Sequence, residues 1–440
     1  MPIRPARSPT IWFETGDLFV HFNWNLHPTG IQRVGLEILR VAWAKFGDRV
    51  AFCRLSRYTG RFEPMDFARI VAASAGPEFG EPASRRFERA LAVSRQLVRF
   101  LARFPKTLYV DYFHGRSRER AFAEQVVSGD MVVCLGLPWG SPDYGPWIAA
   151  AKRRYGFRFG LLIHDVIPFT DVELCQEHFA AGFQRWFENV IGVCDLVFVS
   201  SEFSRDAIHA LCRMRGWPLP PIERIPFGAG FTVPAPAEDR FAIAWQRRFV
   251  LFVSSIERRK NHVLLLRVWR ALLQRHGVAE VPSLVFLGVG GDVGKVLREF
   301  RADAMLRDKI VMIRGASDAV VHEAYRRCLF TVYPSLTEGW GLPVAESLAF
   351  GKFCIASNRA SLPEVGGDLV DYFDPADDAG AIAAVERALF EPGYLDARTA
   401  RIERDYHAPT WSECATMLVD KVDALDAPVP VSEALPAAPA

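Results

Sequence analysis

Short apolar runs, rich in β-branched and aromatic residues, recur along this chain and are separated by longer segments with helical spacing. We predict strands at residues 107–112, 131–135, 159–163, 196–200, 249–254, 283–287, 310–313, 329–333 and 353–356. Helical patterns lie between most of these runs. Alternation of strands and helices is typical of an α/β fold, in which helices cover both faces of parallel sheets. Active sites in such folds lie beyond the carboxyl ends of the strands.

The alternation is interrupted near residues 228–248 by a stretch rich in glycine, proline and alanine. A new strand pattern begins directly after it. We therefore predict a first domain over 1–230, a linker over 231–245 and a second domain over 246–400. A helical segment follows at 401–425, and a Pro/Ala-rich tail at 426–440 is expected to be disordered.

The most informative segment is 329–351, where a predicted strand is followed by a glycine-rich turn and a helix. Two carboxylates, Glu338 and Glu346, stand eight positions apart in it, and we place Glu338 in the loop and Glu346 in the first helical turn. Pro343 suits the helix start and Gly351 the helix end. Near the positive end of a helix a carboxylate stays ionised and can accept hydrogen bonds from a sugar or ribose. The free amides of the turn can bind an anion.

Three further strand-to-helix turns carry candidate chemistry. Lys260 ends a basic turn after strand 249–254, and cations at this position can neutralise a diphosphate. His164 follows strand 159–163, where a neutral imidazole could bond a hydroxyl. Gly30 and Arg33 lie in a turn that precedes a helical pattern over 36–44, and glycine there allows backbone to approach a ligand. Ser201 reads as a helix N-cap.

These motifs resemble glycosyltransferase family 4, the retaining, nucleotide-sugar-dependent enzymes of GT-B architecture. The resemblance is carried by the two glutamates within Pro-Ser-Leu-x-Glu-Gly-aromatic-Gly-Leu-Pro, by His-Asp-x-x-Pro at 164–168 and by Lys260. It implies two Rossmann-like domains that face each other across a cleft. The first would lie on the acceptor side, the second would bind the nucleotide sugar, and segment 401–425 would cross back to the first domain.

The resemblance also implies roles for individual residues. Glu346 would hold the ribose, Glu338 the donor sugar, and Lys260 the departing phosphate. The implied donor-binding residues are Gly30, Arg259, Lys260, Arg314, Glu338, Gly339, Trp340, Gly341, Leu342 and Glu346, and the implied catalytic residues are His164, Glu338 and Lys260. Some family members carry an arginine where this chain has Ser254, so either Arg258 or Arg259 would supply the second cation.

Composition limits the remaining functions. The formal charge of +2 gives no reason to expect nucleic-acid binding. The eight cysteines form no Cys-x-x-Cys pair and are expected to be reduced, as in a cytoplasmic protein. No Asp-x-Asp triplet is present, and we expect neither a metal nor another cofactor to be needed. Arginines recur every four residues within 84–106, which would be either a solvated basic face or a peripheral contact with the inner face of the cell membrane.

The sequence thus predicts a retaining glycosyltransferase that moves a hexosyl unit from a nucleotide-diphosphate sugar to a hydroxyl of a lipid-linked or polysaccharide acceptor. Mannose from GDP-mannose is the leading donor by resemblance. Two alternatives stay open, namely a sugar-nucleotide epimerase of similar shape and a non-catalytic glycan- or nucleotide-binding subunit. The donor base, the acceptor and the linkage are not specified by the sequence.

Overall fold

The computed structural model describes residues 9–24, 28–57, 59–74, 115–230, 247–288 and 294–425. Four predictions lie outside the described residues: the strand at 107–112, the basic helix at 84–106, the linker at 231–245 and the tail at 426–440.

The first sheet contains seven strands among the described residues, in the order β3-β2-β1-β4-β5-β6-β7. The strands are β1 Ile11–Glu14, β2 Val50–Leu55, β3 Phe62–Pro64, β4 Met131–Cys134, β5 Arg158–Leu162, β6 Leu196–Val199 and β7 Ile222–Arg224. All neighbours pair in parallel except β2 and β3, which are antiparallel. The carboxyl ends of six strands therefore meet at one edge of the sheet.

The second sheet contains six strands in the order β10-β9-β8-β11-β12-β13, and all its pairs are parallel. These strands are β8 Phe249–Val253, β9 Ser283–Leu287, β10 Ile310–Ile313, β11 Thr331–Tyr333, β12 Cys354–Ser357 and β13 Asp371–Phe373. One largely parallel sheet and one fully parallel sheet, both covered by helices, confirm the predicted α/β fold class.

Helices connect most of the strands. Around the first sheet they are Gly16–Trp24, Gly30–Phe46, Phe67–Ser74, Gly115–Gln125, Tyr144–Tyr155, Ile167–Thr170, Glu177–Ile191 and Glu202–Arg215. Around the second sheet they are His262–Glu280, Gly294–Ala302, Ala304–Arg307, Asp318–Arg327, Leu342–Ala349, Leu362–Gly366, Asp378–Phe390 and Tyr394–Asp405, and the last described helix is Trp411–Ala424.

Alternate side chains of β1 enter two separate cores, as the two-residue period of a strand requires. Ile11 and Phe13 pack on the face that carries the helix Gly30–Phe46. Trp12 packs on the opposite face, with its ring centroid 5.0 Å from that of Phe122. Both faces of the first sheet are therefore buried, and its functional groups are confined to the strand ends.

The last described helix returns from the second sheet to the first. Its buried side chains, Trp411 among them, belong to the same core cluster as Phe13 and Phe227. The helix begins with a capping box, in which Thr410 and Glu413 each accept from the other's backbone. Arg49 binds Asp423 through both terminal nitrogens, at 3.0 and 2.6 Å.

Several element boundaries differ from the sequence prediction. The strand predicted at 329–333 begins at Thr331, and the strand predicted at 353–356 spans Cys354–Ser357. Five strands were not predicted, namely β1, β2, β3, β7 and β13. The segment predicted as 401–425 is divided by residues 406–410 into the end of one helix and the whole of the next.

Among the residues that the structure describes, no helix combines the length and the apolar character that a membrane crossing demands. The eight cysteines are free thiols, and Cys175 is the one that is partly exposed.

Replacement of Trp411 by alanine should destabilise the protein by about 3–5 kcal/mol, because it leaves a cavity between the last helix and the first sheet. Urea unfolding at neutral pH measures this loss. Met214→Ala is the control, since Met214 is 72% exposed and its loss should change the free energy of unfolding by less than about 0.5 kcal/mol. A loss below about 1 kcal/mol for Trp411→Ala would show that this contact does not stabilise the fold.

Candidate functional site

The candidate site forms where the carboxyl ends of the two sheets meet. From the second sheet, β8 leads into the short helical turn Arg258–Lys260, and β11 leads through the loop 334–341 into the helix Leu342–Ala349. Because β8 and β11 are adjacent in the sheet, their following loops are neighbours. The backbone N–H of Leu336 donates to the Arg259 carbonyl at 2.7 Å and joins the two loops directly.

Glu338 lies between two cations of the β8 turn. Lys260 Nζ is 2.5 Å from Glu338 Oε1, and Arg259 Nη1 is 2.8 Å from Glu338 Oε2. The Lys260 and Glu338 side chains are each 11% exposed. The structure therefore brings together three of the residues that the sequence assigned to donor binding.

These neighbours determine the charge of the cluster. Burial alone would raise the pKa of Glu338, but Lys260 and Arg259 outweigh it and lower that pKa to about 2. Burial and the nearby Arg259 lower the pKa of Lys260, while Glu338 opposes this shift. Glu338 is therefore an ionised carboxylate throughout the neutral range, and it is bound to cations that could also bind a phosphate.

The sequence left open whether Arg258 or Arg259 supplies the second cation, and the structure distinguishes between them. Arg258 is exposed, whereas Arg259 points inward and is held from its other side by Glu257, whose Oε2 lies 2.9 Å from Arg259 Nε. Asp165, after β5 of the first sheet, lies close enough to Arg259 and Lys260 for their charges to affect it. Burial raises the pKa of Asp165, and Arg259 partly reverses this shift. Arg259 is thus the second cation of the site.

Gly339 lies where loops of the two sheets approach each other closely. A Cβ atom on this residue would lie 2.1 Å from the carbonyl oxygen of His164, so that only glycine fits. Three hydroxyls of the β6 end, those of Ser200, Ser201 and Ser204, donate to the Gly339 carbonyl at 3.3, 2.7 and 3.2 Å. This contact fixes the loop that carries Glu338 against the first sheet.

Next to this contact, a carboxylate of the second sheet's side caps a helix of the first. Glu364 accepts from the backbone N–H groups of Glu202 and Phe203, both at 2.7 Å. Ser201 also accepts from Ser204 N, so its predicted N-cap position is correct. The carboxylate lies at the positive end of the helix Glu202–Arg215, where a negative charge is favourable.

His164 is buried at the end of β5 and contacts the Leu135 carbonyl through Nε2 at 3.0 Å. Burial lowers its pKa to about 4, although the Leu135 carbonyl opposes the shift. The ring is therefore neutral at pH 7. Since a carbonyl oxygen can only accept, Nε2 carries the proton and Nδ1 is the acceptor.

Glu346 is almost completely buried, at 1% exposure. It is the fifth residue of the helix Leu342–Ala349 and therefore lies in the second helical turn. The sequence prediction, which placed it in the first turn, was wrong on this point. Arg33 Nη1 lies 2.9 Å from Glu346 Oε1, and the Tyr325 hydroxyl donates to Oε2 at 2.9 Å. Burial raises the pKa of Glu346, while Arg33 and Tyr325 oppose the shift.

The other predicted donor residues occupy varied positions. Gly341 has a φ of 106° at the helix N-cap and lines a cleft together with Ser254, Lys260 and Glu338. Trp340 and Leu342 pack against the core cluster of the first sheet, where the Trp340 ring meets Phe227 at 6.0 Å. Gly30 and Arg314 are exposed.

Sequence reasoning missed several groups at this site. Asp318 and Tyr325 are seven positions apart on the helix Asp318–Arg327 and therefore share one face. That face meets Arg33 and Glu346. The helical spacing was visible in the sequence, but nothing in it indicated which neighbour this face would contact.

A second cleft opens at the carboxyl edge of the first sheet. Its lining includes Glu14, Asp17, Ser141, Tyr144 and Trp147. Burial raises the pKa of Glu14 to about 7, although the N–H groups of Leu55 and Gly16 oppose the shift.

Within the described ranges, no cluster of three or more His, Cys, Asp or Glu side chains could hold a metal ion.

Gly339→Ala should destabilise the protein by about 1–3 kcal/mol, because the new methyl group overlaps the His164 carbonyl and forces the loop to move. Gly30→Ala is the matched control, since a Cβ there meets no atom within 4 Å. Thermal unfolding of both variants measures the difference. Equal midpoints for the two would contradict the close approach at Gly339.

The buried His164 should make the protein less stable as the pH falls. The folded state takes up a proton at this ring near pH 4, whereas the unfolded chain does so near 6.5, so stability is lost on acidification through this window. Between pH 7 and pH 5 the loss is about 2 kcal/mol for this group.

Glutamine at position 164 keeps a donor for the Leu135 carbonyl but does not titrate. Between pH 7 and pH 5, the free energy of unfolding of His164→Gln should therefore fall about 2 kcal/mol less than that of the unmodified protein. Denaturant unfolding at both pH values tests this, with the same substitution at the exposed His407 as control. An identical fall in all three proteins would contradict a neutral, buried His164.

Comparison with known proteins gives the family and the fold that this chain is similar to. Residues 237–405 match the model of the glycosyl transferases group 1 family. O-antigen chain mannosyltransferase B of Escherichia coli is 26% identical over 293 residues, which cover 64% of this chain and 75% of that protein. Serotype-specific mannosyltransferase WbdA of Escherichia coli is 27% identical over 328 residues, but the match spans 70% of this chain and only 39% of that longer protein.

The fold comparison extends over nearly the whole chain. Sucrose-phosphate synthase from Thermosynechococcus elongatus superposes with a TM-score of 0.60 at 17% identity, over 95% of this chain and 99% of that one. At this identity the likeness shows a shared fold. The matched family model places residues 237–405 among the group 1 glycosyltransferases, and the mannosyltransferase relatives support the family that the motifs predicted. The structural likeness shows the GT-B fold.

Proposed function

We propose that this protein is a retaining hexosyltransferase that moves a mannosyl unit from a nucleotide-diphosphate mannose, GDP-mannose being the leading donor, to a hydroxyl of a glycan or lipid-linked acceptor. The mannosyltransferase names of the two Escherichia coli relatives support the choice of sugar. The donor would lie in the cleft between the two sheets, chiefly against the second.

The observation that carries this proposal is the pair of cations at the carboxyl end of β8, the buried Lys260 and the partly buried Arg259. When a sugar leaves a nucleotide diphosphate, negative charge develops on the phosphate oxygens. Preorganised cations in a water-poor site stabilise such charge far better than water does. The cleft beside Lys260 is also lined by Gly341, at the start of the helix Leu342–Ala349, whose positive end favours an anion.

Glu338 would exchange one set of hydrogen-bond partners for another during the catalytic cycle. Without donor it accepts from Lys260 and Arg259. With donor bound, the cations would turn to the phosphate and the carboxylate would accept from hydroxyls of the sugar. Its pKa near 2 supports this role, because an ionised carboxylate is an acceptor at every oxygen.

His164 would approach the transferred sugar from the first sheet. Its neutral ring has Nδ1 available as an acceptor for a hydroxyl, while Nε2 stays bonded to Leu135. Retention would proceed by attack of the acceptor hydroxyl on the same face from which the phosphate departs, with a phosphate oxygen taking up the proton. Metal would not be required, since the two cations and the helix start supply the positive charge.

The acceptor would enter from the first sheet's side. The cleft lined by Glu14, Asp17, Tyr144 and Trp147 opens at the same sheet edge as His164. Carboxylates that accept from hydroxyls, beside aromatic rings that cover apolar sugar faces, are suited to a saccharide. One strand, β4, separates β1 from β5, so this cleft lies about 10 Å from His164 along the sheet.

Lys260→Ala and Glu346→Ala should each lower turnover of the donor at least ~100-fold, the first by removing stabilisation of the leaving phosphate and the second by losing the ribose. Arg258→Ala is the matched control, because this exposed cation belongs to the same turn but does not face Glu338. Release of nucleoside diphosphate from GDP-mannose, with a mannan oligosaccharide as acceptor, gives the rates, and proton NMR of the product gives the anomeric configuration.

Nucleotide binding can be measured without an acceptor, so it distinguishes an unsuitable choice of acceptor from an incorrect proposal. A nucleoside diphosphate at 100 times its dissociation constant should stabilise the folded protein by about 2.7 kcal/mol, which thermal unfolding detects. Near-normal turnover in both variants would remove Lys260 and Glu346 from the mechanism. Absence of stabilisation by every nucleoside diphosphate and its sugar would overturn the proposed function.

A further inference from the structure

We propose that Arg33, which belongs to the first sheet's side, is a positioning residue for nucleotide binding: it fixes the Glu346 carboxylate of the second sheet's side in the orientation that receives the ribose, and so couples contact between the two domains to recognition of the nucleotide. This inference rests on the proposed function, in which Glu346 holds the ribose.

The contact is a two-pronged bridge between the domains. Arg33 lies in the first turn of the helix Gly30–Phe46, and its Nη1 is 2.9 Å from Glu346 Oε1. Its Nη2 is 2.6 Å from Asp318 Oδ1. A guanidinium is planar and rigid, so two carboxylates bound at separate nitrogens fix both its position and its plane.

Burial gives this bridge its strength. The side chains of Arg33 and Glu346 are 13% and 1% exposed. Little water therefore reaches either group to compensate its charge if the other is removed. Asp318, the outer partner, is 38% exposed. Glu346 therefore depends on Arg33 for compensation of its charge, while Asp318 chiefly orients the guanidinium.

The acceptor capacity of Glu346 fits a ribose. An ionised carboxylate has about four acceptor positions. Arg33 occupies one on Oε1, and the Tyr325 hydroxyl occupies one on Oε2. One position per oxygen is left in this pairing, and a ribose with its 2′- and 3′-hydroxyls offers two donors. Arg33 and Tyr325 thus orient the carboxylate from two sides without using up its acceptor positions.

A purely structural tether would behave differently from a positioning residue. Loss of a tether would weaken the contact between domains and reduce binding of every nucleotide alike. Loss of a positioning residue would act at the ribose hydroxyls, and its effect would depend on whether the nucleotide carries the 2′-hydroxyl. Discrimination between GDP and 2′-deoxy-GDP is therefore the readout that separates the two roles.

The experiment is isothermal titration calorimetry of the full chain with GDP and with 2′-deoxy-GDP, for the unmodified protein and for Arg33→Ala, Arg33→Lys and Arg49→Ala. The unmodified protein should bind GDP at least ~10-fold more tightly than the deoxy form, as expected for a hydrogen bond to a charged group. Arg33→Ala should bring this ratio to below ~3. Arg33→Lys keeps the charge but lacks the planar fork that holds two carboxylates in a fixed geometry, so it should give an intermediate ratio.

Arg49→Ala is the matched control, because Arg49 also joins the first sheet's side to a carboxylate, Asp423 of the last helix, but lies outside the site. It should keep the discrimination of the unmodified protein. An undiminished ratio in Arg33→Ala would overturn the inference and leave the proposed function intact. If Arg33→Ala does not fold, an undiminished ratio in both Arg33→Lys and Asp318→Asn would overturn it equally. Failure of the unmodified protein to bind GDP, UDP or ADP would overturn the proposed function and this inference with it.

Discussion

The buried Glu338 carboxylate, bound on one side by Lys260 and on the other by Arg259, is the interaction on which the rest of the site depends. Removing one partner of such a buried pair leaves an uncompensated charge and typically costs about 3–5 kcal/mol. Further hydrogen bonds hold the backbone of the loop that carries Glu338. The hydroxyl of Ser361 donates to the carbonyls of Glu338 and Trp340, at 2.9 and 2.8 Å, and so fixes the loop behind the carboxylate.

The same loop is also one of the places where the two domains touch. Gly339 follows Glu338 directly, and its carbonyl accepts from hydroxyls at the end of β6 while its Cα lies against the His164 carbonyl. A movement of the first sheet relative to the second would therefore disturb the residue next to Glu338. Trp340 reinforces this coupling, because its ring packs against Phe227 of the first core. Domain contact and the geometry of the charged cluster are two consequences of one loop conformation.

The sequence predicted those features that depend on strand ends and failed for those that depend on how separate elements pack. Lys260 and Glu338 could be assigned to one edge because each follows a parallel strand. The bridge from Arg33 to Glu346 spans 313 positions and depends on the placement of one domain against the other, which no local pattern encodes. Strands β3, β7 and β13 have three residues each and include a charged residue, so no apolar run marks them in the sequence. In β2, the apolar run is interrupted by Arg54, which is buried against Glu63.

Both arginines of this site, Arg259 and Arg33, are held by a second carboxylate, although only Arg259 is proposed to exchange a partner for a ligand. A cation that is already desolvated and ordered against a carboxylate can exchange that partner for a phosphate without first losing water or side-chain freedom. Arg259 is held in this way by Glu257 as well as Glu338, so it keeps one carboxylate even when the other turns to a ligand. Arg33 is held likewise by Asp318 while it orients Glu346. In each case a second carboxylate, outside the proposed ligand contact, keeps the arginine in place.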